Sequence, residues 1–164
     1  MSGTVGTRIV VIGVGAEFRC DDRAGLAVID RLRGRLPAGV ALLCTDGEPT
    51  RLMEAWSGAT AAIVVDAVSG GDSPPGTLHR VVVADEAEAP GYAASVPAPA
   101  SSHGLGLSTA VELSRVLSRL PPALILHGVQ GAEFGYGQAF SPAVAAVIDD
   151  LAAAVRADVL SLSA

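Results

Sequence analysis

Three residues have side chains suited to chemistry and sit where their neighbours are not. Asp66 closes the apolar run Ala61-Ala62-Ile63-Val64-Val65. Asp22 follows the stretch Gly13-Val14-Gly15 and the loop that runs to Cys20. His103 stands between Ser102 and Gly104, at the end of a long run of small residues and prolines. Two carboxylates and an imidazole are oxygen and nitrogen donors of the kind that hold a divalent first-row metal with open coordination positions. Each residue also has a plain structural role open to it. A carboxylate at position 22 suits the positive end of a helix, one at position 66 suits the start of a turn, and an imidazole at position 103 suits a helix cap or solvent. Convergence in space separates these readings, so the elements that carry the residues decide the matter.

Arg8 to Val14 contains Ile9-Val10-Val11-Ile12, a β-branched run closed by glycine, which predicts a central strand buried on both faces. A helix is expected to start at Asp21 or Asp22, with Ala24, Ala27, Val28 and Leu32 on one apolar face, and to end at Gly34 and Pro37. Val40 to Cys44 predicts a second strand, and Thr50 to Trp56 a short helix with Leu52, Met53 and Trp56 inward. Ala61 to Val68 predicts a third strand with Asp66 at its carboxyl end. The breaker-rich stretch Ser69 to Gly76 leads to a strand at Thr77 to Val83. Its short link to the strand before it permits an antiparallel neighbour, because a parallel crossover needs a dozen or more residues. Ala84 to Ser102, with Pro90, Pro97 and Pro99, predicts a long functional loop ending at His103, ahead of a helix from about Gly106 to Leu117. Leu124 to Val129 predicts the last strand. Ser141-Pro142 then opens a C-terminal helix whose buried face is Val144, Val147, Ile148, Leu151 and Val155.

This order predicts an α/β fold: a three-layer open sandwich with a mostly parallel sheet of about five strands, one of them antiparallel, and helices on both faces. The 164 residues are expected to form one domain, 1–164. In such sheets ligands bind beyond the carboxyl ends of the strands. Asp22, Asp66 and His103 all fall at such places if the connection after the Thr77 strand returns to that edge. The net charge of −6 argues against nucleic acid as a partner. No apolar run approaches the ~20 residues of a membrane span. No signal core precedes Arg8, and the two cysteines, Cys20 and Cys44, form no disulfide framework, so a cytoplasmic setting without membrane insertion is expected.

Other patterns are weaker. Gly13-Val14-Gly15 resembles the start of a dinucleotide fingerprint, but Phe18 occupies the third glycine position, so no organic cofactor is expected. Gly106 to Ala110 follows a loop rather than a strand and fails as a nucleophile elbow. Ser101 and Ser102 adjoin His103 too closely for triad geometry. Cys20 reads as a buried structural thiol, and His79 and His127 as satisfied structural residues in strands.

Gly13-Val14-Gly15 followed by Asp21-Asp22-Arg23-Ala24-Gly25, then Ile63-Val64-Val65-Asp66-Ala67, then Ser102-His103-Gly104-Leu105-Gly106-Leu107, resembles in order the motifs of the nickel–iron hydrogenase maturation endopeptidases. Asp46-Gly47, Pro75-Gly76-Thr77 and the stretch from Gly128-Val129 to Ser141-Pro142 also sit in family-like places, so the resemblance covers most of the chain. It differs from the common pattern at Ala16, Glu17, Arg19 and Glu48-Pro49-Thr50, which fits a branch serving a different hydrogenase. The resemblance implies a protease that removes the C-terminal extension of a hydrogenase large-subunit precursor after nickel insertion. It also implies that Asp22, Asp66 and His103 contact the nickel, which the substrate supplies. A non-proteolytic checkpoint for the nickel site and an unrelated small-molecule hydrolase are the alternatives.

Overall fold

The computed structural model describes the backbone of residues 6–83 and 102–164, and the side chains of 6–83 and 106–164. The long stretch 84–101 and the His103 side chain lie outside the described residues. Five strands form one sheet: β1 (Ile9–Val14), β2 (Ala41–Thr45), β3 (Ala61–Val68), β4 (Leu78–Val83) and β5 (Ala123–Gln130), in the order β2-β1-β3-β5-β4. The first three and β5 are parallel, and β4 is antiparallel. The antiparallel partner of β4 is β5, which inserts between it and β3, so the short β3–β4 link spans a strand instead of closing a hairpin.

The helices cover both faces, as the strand pattern predicts. The helix α1 (Ala24–Leu32) and the C-terminal helices pack with Val11, Ile63, Val65, Ile125 and Val129 on one face. On the other, α2 (Pro49–Trp56) and α3 (Ser102–Val116) pack with Val10, Ile12, Ala62, Val64 and Leu124. Side chains of successive strand residues alternate between these two cores, which is why β1 is apolar throughout and β3 is apolar except at Asp66. Trp56 is fully buried, and its indole N–H donates to Ser114 Oγ at 3.1 Å, tying α2 to α3. The C-terminal helix is split: Pro142–Ala145 forms a short α4 and Ile148–Ser163 forms α5. Pro142 holds the first-turn position, as expected.

The edge strand β4 is fastened to α5 by side chains. Arg80 donates to both carboxylate oxygens of Asp158, at 2.9 and 3.0 Å, and His127 on β5 lies 2.6 Å from the same carboxylate. Burial pushes the His127 pKa below its ordinary value against the pull of Asp158. The ring is therefore neutral near pH 7, with Nε2–H donating to an acceptor-only carboxylate. His79 likewise meets Gln130 at 3.2 Å. Both histidines are hydrogen-bonded residues of the sheet.

Glycines set how closely the helices approach the carboxyl edge. A Cβ on Gly13 would collide with the Gly25 carbonyl oxygen, and a Cβ on Gly25 with the carbonyl oxygens of Val14 and Val65. The start of α1 thus lies directly on β1 and β3. The Gly13-Val14-Gly15 pattern serves this helix-to-strand contact. Gly25→Ala is expected to cost about 3 kcal/mol or more, because backbone rather than a flexible side chain must give way; urea unfolding measures it.

Candidate active site

The first polar residue arrives on a single helical turn, Cys20–Arg23, which precedes α1. Asp21 and Asp22 were expected to begin the α-helix by capping it. Instead α1 starts at Ala24, and neither the turn nor α1 has a side-chain cap. Adjacent residues in so tight a turn point in different directions, and the two acids serve different ends.

Asp21 is fully buried and turns toward the 131–141 loop. Its Oδ2 accepts from the backbone N–H of Ala132 (2.8 Å) and Glu133 (2.9 Å) and from the Ser141 hydroxyl (2.8 Å), while Oδ1 accepts from the Ser141 N–H (2.8 Å). Its own N–H donates to the Glu133 carbonyl at 2.9 Å. Burial disfavours the ionised carboxyl, but these donors outweigh it and hold its pKa below the ordinary value of 3.8. Ser141 therefore gives its hydroxyl to Asp21 and makes no side-chain cap for α4. Cys20, just before it, is buried and adopts φ +49, a left-handed conformation costly for a residue with a side chain.

Asp22 is 1% exposed. Its carbonyl oxygen would collide with a Cβ on Gly15, so the turn rests on the chain just beyond β1. The turn also packs against β3. Asp66 is 8% exposed and lies inside β3, opposite Gly128 of β5. Two strand residues follow it before the chain turns, so it does not initiate the turn. By alternation it shares the face of Ala62 and Val64, the face that α3 covers. One of its oxygens accepts from the Ala67 N–H at 2.8 Å. Aspartate is depleted from strands, and burying a carboxylate is costly.

His103 was expected on a loop just before the helix. The helix begins at Ser102, so His103 lies in its first turn. Gly104 and Gly106 make that start look non-helical by propensity. Gly106 is required for packing: a Cβ there would collide with the Gly47 carbonyl oxygen, just past β2. His103 is three residues upstream, about 4.5 Å along the axis at α-helical rise. The chain leaves β4 at the amino edge, where Val83 pairs with Leu124, and re-enters the described structure at the carboxyl edge. The elements bearing Asp22, Asp66 and His103 therefore meet at the carboxyl edge of three adjacent strands, β1, β3 and β2. Among the described residues, no group of three His, Cys, Asp or Glu side chains forms a metal site, and the His103 side chain lies outside that set.

Sequence reading missed two local functions of neighbouring acids. One is the Asp21 clamp. The other is Glu48, whose carboxylate accepts from the N–H groups of Thr50 and Arg51, at 3.1 Å each, and caps α2. The Glu48-Pro49 pair, an acid before a first-turn proline, was the available signal. Both cysteines are free, Cys20 buried and Cys44 exposed. Among the described residues, no helix is long and apolar enough to cross a membrane.

A family model described as hydrogenase maturation protease matches residues 33–157, a span that holds Asp66 and His103 and begins past Asp22. The chain is similar in structure to the hydrogenase maturating endopeptidase HybD from E. coli, with TM-score 0.78, 26% identity, and 94% of this chain and 93% of that chain covered. A solution structure of an endopeptidase from Escherichia coli aligns with TM-score 0.76 and 26% identity over 92% and 91% of the two chains. The [NiFe] hydrogenase maturation protease HybD from Thermococcus kodakarensis shares the fold, with TM-score 0.69 and 22% identity over 93% and 99%. A comparison with curated protein sequences finds no match.

Asp21→Asn keeps the shape but replaces acceptors with an amide that confronts donors. It is expected to lose about 3 kcal/mol or more in urea unfolding. Because the folded pKa lies below the unfolded one, the contribution of Asp21 is fully present above about pH 3.8 and is lost as pH falls through the folded value. The acid limb of the stability profile should accordingly flatten in the variant.

Proposed function

The chain belongs to the hydrogenase maturation protease family, and from that premise we propose that it is the endopeptidase that removes the C-terminal extension of a nickel–iron hydrogenase large-subunit precursor after nickel insertion. Asp22, Asp66 and His103 contact the nickel in the precursor. The observation that supports this reading is the meeting of their three elements at the carboxyl edge, where both carboxylates are buried.

The metal arrives with the substrate. Two carboxylates and one imidazole leave coordination positions open, so the protein alone is expected to bind nickel weakly. An unloaded precursor lacks the metal that these oxygen and nitrogen donors would bind, and discrimination against it is chemical. When bound, the metal polarises the scissile carbonyl or a water. The chain's own part is to hold the two carboxylates fixed on a strand and a rigid turn, so that the cut site is positioned by the metal it must report. The partner is the precursor, in the cytoplasm, with no organic cofactor.

Asp22→Asn, Asp66→Asn and His103→Gln should each keep the wild-type circular dichroism spectrum. Each should reduce trimming of nickel-loaded precursor at least ~100-fold, read as the appearance of the shortened subunit by intact-mass spectrometry. Undiminished trimming by all three variants would sink the assignment. Wild-type protein that binds the precursor and causes no mass loss would favour a checkpoint without cleavage.

A further inference from the structure

Aromatic residues are scarce in this chain: three Phe, two Tyr and one Trp. Phe18, Phe134, Tyr136 and Phe140 nonetheless fall on just two loops, one after β1 and one after β5. The loops are joined as a short parallel ribbon. Arg19 bridges Gly137, the Gly137 N–H donates to the Phe18 carbonyl at 2.9 Å, and the Cys20 N–H donates to the Gly137 carbonyl at 2.9 Å. Arg19 Nε adds a bond to the Phe134 carbonyl at 3.3 Å. Gly137 adopts φ +146, and a Cβ there would stand 3.1 Å from Cys20 Sγ. The same second loop is the one that the Asp21 carboxylate holds.

Two of the four rings turn inward. Phe134 packs against the core, and Phe140 lies under the Arg23 guanidinium at 4.3 Å. The other two do not: Phe18 is 59% exposed and Tyr136 is 94% exposed. Each stands one residue before its bridge partner, so they are neighbours on the ribbon. Exposed aromatics on a pre-ordered support are the residues that dominate protein–protein contacts, because little entropy remains to be lost on binding.

We propose that this ledge is the docking surface for the folded body of the hydrogenase large-subunit precursor, with Phe18 and Tyr136 as its anchors. The inference rests on the function proposed above. Continuity selects this occupant. The ribbon runs without a break into the turn that carries Asp22, so a precursor whose extension enters the carboxyl edge must lay its body beside it. Glu17, Arg19 and Glu133, all exposed, lie on the same two loops and supply mixed charge of the kind found at the rim of a docking site.

The test measures dissociation constants and cleavage of nickel-loaded precursor for wild type, Phe18→Ser, Tyr136→Ser and the double variant. Val82→Ser, 61% exposed on the far edge strand, is the control. Thermal unfolding should be unchanged in all. The double variant should bind the precursor at least tenfold more weakly and show a raised KM with kcat altered less than about twofold, and the control should match wild type. Equal binding by the double variant would overturn the ledge, as would a loss of kcat with binding intact. So would a wild-type dimer that the double variant disperses without any change in precursor affinity. Wild type that binds through the ledge but never cuts would overturn the proposed cleavage and leave the docking surface standing; normal cutting by the double variant would do the reverse.

Discussion

The buried carboxylate of Asp21 holds together parts of the chain more than a hundred residues apart. A charge out of water is tolerated only when its lone pairs are filled, and here three backbone N–H groups and one hydroxyl fill them. Those donors belong to the loop between β5 and α4, which lies outside the five-stranded sheet. Without the carboxylate the loop would have to hydrate its N–H groups, and the turn beside it would lose its main anchor. The position of Asp22 therefore depends on Asp21. One acid fixes the backbone, and the next is carried on the turn that it fixes.

A second constraint acts on the same turn from below. Gly13, Gly15 and Gly25 bring backbone to within contact of backbone, so the turn cannot ride up off β1 and β3. Gly106 does the same for α3 against Gly47. Small residues at these crossings exchange helix propensity for closeness. The gain is positional: polar residues on three different elements are drawn to one edge of a sheet whose interior is filled by Ala, Val, Leu and Ile.

The strands and their parallel arrangement were legible because β-branched runs bounded by glycine leave little choice of element, and Ile9–Val14 and Ala61–Val68 are such runs. Asp66 was legible as a candidate because it interrupts one of them. The partner of β4 was not, since chain order gives the length of a link but not which strand inserts beside it. The start of α3 was misjudged at Gly104 and Gly106, where a tertiary contact with Gly47 overrides propensity. The Asp21 clamp was hidden for a related reason. A pair of acids before a helix reads as capping, and only the three-dimensional path of residues 131–141 supplies the donors that claim one of them.

The division of labour between the two acids also bears on how such a site can change. Cys20 is held at φ +49 directly before the clamp, and a strained residue persists only where its surroundings over-determine it. The strain and the burial of two acid side chains fall at one edge, while the clamp, the glycine crossings and the two apolar cores stabilise the rest. The loop surface around Phe18 and Tyr136 lies outside that balance, because its rings bury little in the free protein. Substitutions there can change the surface without disturbing the carboxylates. Substitutions at Asp21 or Gly25 cannot, since they move the turn itself. The loop surface is thus free to vary in sequence while the turn and the strand that carry the two acids stay fixed.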